Sequence, residues 1–166
     1  MGNIYIYLAD PGSDQAIRMH TICKNLSAIA GILQPVIDGK RCLHDILTGE
    51  ILQLEADIFD FEIVNSRSII KAGKYLFYEE SYEWASKRAE EALALDFRLF
   101  IIDGISSIEL RGSGMISAIQ KVLSIAAVAG TKNFLFVVKP KHLNVFSRLF
   151  LGTLDYKIVN CITEIG

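Results

Sequence analysis

The sequence has few cysteines and prolines, no excess of basic charge and no long hydrophobic run, and each absence argues against a class of protein. The 166 residues include 3 cysteines and 3 prolines, and the formal net charge is -2. No apolar run approaches the roughly 18–20 residues of a membrane span, and no charged segment precedes an apolar one at the N-terminus, as a secretory signal would require. We therefore expect a cytoplasmic protein with neither a membrane nor a nucleic acid as partner.

The cysteines and histidines do not have the spacing of a disulfide framework or a zinc site. There is no CxxC pair and no Cys/His cluster, so reduced thiols are expected. Isolated histidines are more often surface or partly buried imidazoles than catalytic or metal-binding groups. The residues concerned are Cys23, Cys42, Cys161, His20, His44 and His142.

The apolar residues follow the pattern of an α/β domain. Hydrophobic residues make up 51% of the chain and charged residues 22%, which is typical of a globular protein with a sizeable core. Neither a repeat nor a linker divides the sequence, so we expect one domain over residues 1–166. Alternating or continuous apolar segments predict strands at Asn3–Leu8, 61–65, 75–78, 97–104, 133–138 and 155–165. The strand at 155–165 is expected at an edge of the sheet.

Helical spacing and turn signals fill the intervals between these strands. Helices are predicted at about 14–30, 81–96, 114–130 and 139–152, the first ending at Gly31 and the second capped by Ser81. Asp38-Gly39 and Thr48-Gly49 predict an antiparallel hairpin or meander, and a loop is expected at 65–72. The pattern indicates a three-layer α/β fold with a mainly parallel sheet and a β-hairpin insertion after the first helix.

The loop after the first strand lies where parallel sheets bind ligands, beyond the carboxyl ends of the strands. A phosphate loop has the pattern Gly, four residues, Gly, Lys, and Ser or Thr, but here those positions hold Ala9, Asp14, Gln15 and Ala16. Gln15 supplies no positive charge, and Ala16 cannot bind a metal. Asp14 or Ser13 can instead cap the following helix. The sequence predicts a vestigial loop that forms a capped turn, comprising Ala9, Asp10, Pro11, Gly12, Ser13, Asp14, Gln15 and Ala16.

A second motif follows the strongest strand signal. In "LFIIDGISSIEL" (99–110), four apolar residues precede Asp103. This arrangement resembles the second nucleotide-binding motif of P-loop proteins, whose aspartate orients Mg²⁺. Asp-Gly after a strand is also typical of a plain turn. Because it ends a strand, we expect Asp103 to face the site.

Three segments in order strengthen this resemblance: "DGKRCLHDILTGEILQLE" (38–55), "AGKYLFYEESYEWASKRAEEAL" (72–93) and "DGISSIEL" (103–110). Together they resemble the small P-loop nucleoside-triphosphatases, the cancer-related nucleoside-triphosphatase type. The resemblance implies a P-loop NTPase-like fold, with Asp103 as a metal ligand and Asp103 and Glu109 as candidate catalytic acids. It also implies degenerate Walker A and Walker B motifs, since Gly104 replaces the glutamate that would act on the attacking water.

Three hypotheses about function follow from the residues and the resemblance. The first is a pseudoenzyme, a non-hydrolysing binding or interaction module with an unspecified protein partner, no cofactor and doubtful nucleotide binding. The second is a weak Mg²⁺-dependent ATP or GTP hydrolase, in which Asp103 or Glu109 binds the metal. The third is a module that binds a less charged small molecule. The hydrolase needs a replacement cation from Lys40, Arg41, Arg111 or Lys139, and the third hypothesis relies on Ser13, Gln15 and Ser106. The sequence leaves the oligomeric state open.

Overall fold

The computed structural model describes residues 2–57, 67–128 and 130–165. Its strands are β1 (Asn3–Leu8), β2 (Ile29–Leu33), β3 (Val36–Ile37), β4 (Lys40–Asp45), β5 (Ile51–Gln53), β6 (Ile69–Ala72), β7 (Tyr75–Tyr78), β8 (Leu99–Ile105), β9 (Asn133–Val138) and β10 (Tyr156–Val159). Its α-helices are α1 (Asp14–Cys23), α2 (Glu79–Leu93), α3 (Ser107–Leu110), α4 (Ile116–Ala126) and α5 (Leu143–Phe146). Shorter helical turns cover Pro140–His142, Ser147–Leu151 and Ile162–Glu164. The strand predicted at 61–65 lies outside the described residues.

The central sheet is parallel along most of its width. Its strand order is β10-β1-β9-β8-β2-β4-β3, and β5 pairs with β4. The pairings from β10 through β2 are parallel, whereas those made by β4 are antiparallel. The meander β3–β5 therefore extends the parallel sheet at one edge, and β10 forms the opposite edge. The predicted mainly parallel sheet is confirmed.

Helices cover both faces of the sheet and divide the core into two. On one face, α1 packs through Met19 and Cys23 against alternate residues of the parallel strands. On the other face, α2 and α4 contribute Ala85 and Ile119 to a larger core. Strands buried on both faces require continuous apolar sequence, and β9 (NFLFVV) is buried at every position. These three layers match the predicted architecture.

The predicted first helix is too long, because part of it is strand β2. The helix α1 ends at Cys23, and Gly31 lies inside β2 rather than at a helix end. Gly31 has φ +120°, and a Cβ there would lie 2.0 Å from the Ile101 carbonyl oxygen of β8. Glycine is needed at this position because the two backbones approach so closely. In the sequence alone, Gly31 looks like the glycine that ends a helix. Only its contact with β8 shows that it lies inside a strand.

Two further local predictions are wrong in the region before α2. The predicted loop at 65–72 includes strand β6, which pairs with β7 in a separate two-stranded sheet. The helix begins at Glu79, so Ser81 is not its cap. Ser81 is fully buried and donates a hydrogen bond to the Gln53 carbonyl oxygen at 2.8 Å. A hydroxyl that suits a cap also suits a buried carbonyl acceptor, so residue type alone did not decide between the two.

The remaining predicted elements are present, and several have different ends. The strands β1, β7 and β9 have the predicted bounds, while the fourth helix consists of short helical turns from Pro140 to Leu151. The last strand spans only Tyr156–Val159 and pairs with β1 at the sheet edge. Within the described ranges, no helix combines the length and apolar character needed to span a membrane.

Candidate functional site

The loop that follows β1 is a tight turn. The Ser13 N–H donates to the Asp10 carbonyl oxygen at 3.0 Å, which closes a four-residue turn. Pro11 occupies its second position, and Gly12, with φ +73°, occupies its third. Proline at the second position and a positive φ at the third are typical of a type II turn. The amide of Ser13 is therefore used within the loop itself.

Ser13 also caps the helix α1. Its side-chain oxygen accepts a hydrogen bond from the Ala16 N–H at 3.2 Å, as an N-cap serine does. Asp14 lies in the first turn, exposed, and no side-chain hydrogen bond of its own is found among the described residues. Its charge still suits the positive end of the helix dipole. Of the two predicted caps, Ser13 forms the hydrogen bond and Asp14 does not.

Asp103 lies near the carboxyl end of β8, as predicted, but its carboxylate is already bonded. The His20 Nε2 lies 2.6 Å from Asp103 Oδ2, and the Gln34 N–H donates to the same oxygen at 2.8 Å. Asp103 is 6% exposed. A carboxylate accepts hydrogen bonds, so the imidazole is the donor in the first contact. The helix α1 and the chain after β2 both converge on this one oxygen.

His20 and Gln34 are site residues that the sequence interpretation did not identify. One signal for His20 was present: it lies four residues after Ala16, the position of the magnesium-binding hydroxyl in a phosphate loop. Residues four apart share one side of a helix, so the sequence already put His20 on the same side of α1 as Ala16. No comparable signal exists for Gln34, because its backbone N–H makes the contact.

The side chain of the same glutamine occupies the space beside Gly104. Its φ is +88°, and a Cβ there would lie 2.5 Å from the side-chain Cδ and Oε1 of Gln34. Gln34 is itself 3% exposed. A glutamate at position 104 would require Gln34 to move and would strain the backbone at this positive φ. Gln34 thus covers both Asp103 and Gly104.

Glu109 is buried and bonded within its own turn. Its carboxylate accepts hydrogen bonds from the Ser106 N–H at 2.9 Å, the Ser106 hydroxyl at 3.2 Å and the Met115 N–H at 3.3 Å. Ser106 and Glu109 form the capping box of α3. Burial raises the pKa of Glu109, and the hydrogen bonds from Ser106 and Met115 oppose that shift. Every contact described for this carboxylate therefore supports local structure.

The residues around Asp103 do not match the ligands that Mg²⁺ takes. This ion prefers oxygen ligands in octahedral geometry, whereas Asp103 faces an imidazole and a backbone N–H. Ala16, at the position of the metal-binding hydroxyl, is buried and offers no ligand. Within the part of the chain that the structure describes, no three His, Cys, Asp or Glu side chains cluster as a metal site.

The four candidate replacement cations separate into two groups. Lys40 pairs with Asp57 at 2.7 Å, and Arg111 donates to the carbonyl oxygens of Ser107 and Lys71. Arg41 and Lys139, by contrast, line one cavity of about 190 Å³. The fold therefore brings together two cations that are 98 positions apart in the sequence (139 − 41).

The neutral groups expected to bind a less charged ligand are not brought together in this way. A cavity of about 390 Å³ lies between α1 and the meander, and Ala16, His20 and Val36 are among its lining residues. Neither Ser13 nor Gln15 lines it, and Ser106 lines the smaller cavity instead. The Ser106 hydroxyl is also bonded to Glu109. This hypothesis gains no support from the geometry.

Comparison with known proteins identifies the fold. No protein-family model and no curated protein sequence matches the chain. The chain is similar to the crystal structure of THEP1 from the hyperthermophile Aquifex aeolicus, with a TM-score of 0.64 and 16% sequence identity, over 99% of this chain and 92% of that chain. At that identity the likeness concerns the fold alone, and the chain has a P-loop NTPase-like α/β fold.

Proposed function

We propose that this protein is a non-hydrolysing relative of the P-loop nucleoside-triphosphatases that acts by binding rather than by catalysis. The observation that carries the proposal is the engagement of Asp103. Its Oδ2 is bonded to His20 and to the Gln34 N–H, so Mg²⁺ could bind that oxygen only by displacing contacts made in the interior. Phosphoryl transfer depends on a metal and on cations placed at the phosphates.

Two features of the same region support the proposal. The first loop has neither the lysine nor the hydroxyl of a phosphate loop, and Gln15 and Ala16 replace them. Gly104 replaces the glutamate, and its place is closed by the Gln34 side chain. A missing hydrogen bond to a charged group weakens binding by roughly 1.5–3 kcal/mol, so the loss of the lysine alone should reduce affinity for a triphosphate by about one or two orders of magnitude.

Calorimetric titration with ATP and GTP, with and without Mg²⁺, tests the proposal together with an assay of phosphate release. We expect no release above the buffer rate and no Mg²⁺-dependent binding. The Asp103→Ala variant, prepared in the same way, controls for a contaminating phosphatase. Mg²⁺-dependent release that disappears in Asp103→Ala would overturn the proposal and support the alternative, a weak Mg²⁺-dependent hydrolase.

A binding module of this kind needs an occupant or a partner. A cytoplasmic protein partner, of unspecified identity, is part of the proposal. Its test is recovery of a stoichiometric complex by size exclusion after affinity purification under conditions in which nucleotide is absent. The absence of any such complex, together with measurable turnover, would count against the module and for the hydrolase.

A further inference from the structure

A pocket on the α2 side of the carboxyl edge of the sheet collects basic side chains from separate elements. It has a volume of about 190 Å³. Arg41 comes from β4, Lys74 from the turn between β6 and β7, and the others follow β9. Among the residues that the structure describes, no acidic side chain lines it. We call this the basic pocket and define it by its five basic residues: Arg41, Lys74, Lys139, Lys141 and His142.

Within the described ranges, no lysine or arginine of the basic pocket forms an ion pair with a carboxylate. Asp10 acts on Lys139 and His142, and the Glu55 carboxylate accepts a hydrogen bond from the Arg41 backbone N–H at 3.3 Å. A chain with a net charge of -2 thus concentrates unpaired positive charge in one concave place, where it attracts anions.

Arg41 is held in position by aromatic rings rather than by a counter-ion. Its guanidinium lies 4.5 Å from the centroid of the Tyr75 ring and 5.2 Å from that of Phe77. The Lys74 ammonium lies 5.3 Å from the Tyr75 centroid. Stacking on aromatic faces orders a guanidinium and leaves its N–H donors free for a ligand. The pocket is therefore preorganised for a group that accepts several hydrogen bonds.

The cations act on one another across the pocket. Burial lowers the pKa of Lys139, the Arg41 guanidinium lowers it further, and Asp10 partly offsets both. Burial also lowers the pKa of His142, with Lys141 and Lys139 acting in the same direction. Like charges held this close repel one another. A bound anion would relieve that repulsion.

We infer that the basic pocket binds a phosphate group, carried by inorganic phosphate, pyrophosphate or a small phosphorylated molecule. Phosphate is the ligand that combines high negative charge with the geometry arginine recognises. Pockets for drug-sized ligands measure about 300–1,000 Å³, so a cavity of about 190 Å³ suits a phosphate or pyrophosphate rather than an enclosed nucleoside triphosphate. A nucleic acid would favour a basic stripe over a basic concavity. No residue of the first loop lines the basic pocket, although Asp10 of that loop acts on Lys139 and His142. The inference does not rest on the absence of hydrolysis.

Titration calorimetry with sodium phosphate and sodium pyrophosphate, without Mg²⁺ and at an ionic strength fixed with NaCl, tests the inference. We expect saturable binding of pyrophosphate that Lys139→Ala weakens about tenfold or more, as loss of a hydrogen bond from a charged group does. Lys121→Ala is the matched control, because Lys121 is exposed on α4, outside the pocket. The inference would be overturned if pyrophosphate does not bind, or if Lys121→Ala weakens binding as much as Lys139→Ala does.

A second variant keeps the test decisive if Lys139→Ala does not fold. Lys141 is exposed, so Lys141→Glu reverses a charge at the rim without disturbing the core, and it should weaken pyrophosphate binding more than Lys121→Glu does. Leaving out Mg²⁺ removes any metal-dependent binding at the first loop, and the effect of the pocket variants relative to the Lys121 controls shows whether the remaining binding occurs in the basic pocket. A short single-stranded oligonucleotide is the competitor. If the oligonucleotide displaces pyrophosphate at a phosphate concentration below that of the pyrophosphate, the assignment to a small molecule is overturned.

Discussion

His20 and Asp103 meet at 2.6 Å, and this contact joins the helix that follows the first loop to the carboxyl end of the central strand. His20 is four residues beyond the place of the metal-binding hydroxyl, and Asp103 stands in the place of the metal-orienting aspartate. His20 therefore reaches Asp103 from the next turn of the helix that holds Ala16. The contact occupies an oxygen of the carboxylate that a nucleotide site would need open.

The first prediction is that His20 and Asp103 are energetically coupled. His20→Ala removes one partner of a carboxylate that is 6% exposed, and a buried group left with too few partners costs about 1–3 kcal/mol. Asp103→Ala leaves the Gln34 N–H without its acceptor and should cost a similar amount. In a double-mutant cycle measured by denaturant unfolding, we expect a coupling of about 0.5–3 kcal/mol. Additive losses would show that the contact does not stabilise the native state.

The second prediction compares two glycines that share a conformation. Gly104 has φ +88° and Gly112 has φ +85°, but a Cβ at 104 would lie 2.5 Å from Gln34, whereas a Cβ at 112 meets nothing within 4 Å. Gly112→Ala should therefore cost only the backbone strain, about 1–2 kcal/mol. Gly104→Ala should cost more, by about 1–3 kcal/mol for overpacking. Thermal unfolding of the two variants measures the difference, and equal losses would mean that Gln34 moves aside freely.

The sequence predicted the buried parallel strands β1, β8 and β9 well, but it missed the buried parallel strand β2 and the short strand β6. The strands β8 and β9 are continuous apolar runs, and no other structure accounts for such runs as simply. Gly31 was assigned to a helix end because its close contact with Ile101, 70 positions away (101 − 31), cannot be recognised from the residues around it. The strand β6 has mixed residues that become a strand only by pairing with β7.

In the candidate site, the features that were predicted depend on neighbouring residues, and the contacts that were missed depend on residues far apart in the sequence. Ser13 as a cap and Asp103 at a strand end both depend on neighbours in sequence, and both lie where they were predicted. The partners of Asp103 are 83 and 69 positions away, and the grouping of Arg41 with Lys139 also depends on the fold. Which polar groups meet at the end of a sheet is a property of its topology.

The third prediction concerns the pH dependence that Glu109 contributes to stability. Its pKa is raised in the native state by burial, whereas an unfolded glutamate has a pKa of about 4.3. A raised native pKa contributes stability that is fully present below the unfolded pKa and is lost as the pH rises through the native one. The stability of the wild type relative to Glu109→Gln should therefore be greatest below about pH 4.3 and fall towards neutral pH. Denaturant unfolding at a series of pH values measures this difference.

A variant at an exposed site controls for the change in charge. Glu90 lies exposed on α2, so Glu90→Gln changes the same side chain without a buried contact. Its difference from the wild type is subtracted at each pH. A relative stability of the Glu109 variant that does not change with pH, after this correction, would show that the carboxyl group titrates as it does in the unfolded chain.

The fourth prediction is that one of the three thiols reacts in the native protein. The Thr163 hydroxyl lies 3.0 Å from the Cys161 sulfur, and this bond lowers the pKa of Cys161, which is partly exposed. Burial, aided by the nearby Asp103 carboxylate, raises the pKa of Cys23 to about 12, and burial also raises that of Cys42. The thiolate is the reactive form, so at neutral pH N-ethylmaleimide should modify Cys161 first. Peptide mass spectrometry identifies the labelled residue.

Two variants test the cause of this selectivity. Thr163→Val removes the hydroxyl, so the Cys161 pKa should rise, and labelling near pH 7 should slow about two- to tenfold. As the pH rises above the ordinary thiol pKa of about 8.5, the rates of the variant and the wild type should converge, because both thiols are then ionised. Cys161→Ser should abolish rapid labelling of the native protein. Labelling of Cys23 at a comparable rate would mean that α1 opens from the sheet, and that the contact between His20 and Asp103 is broken often enough to leave the carboxylate free.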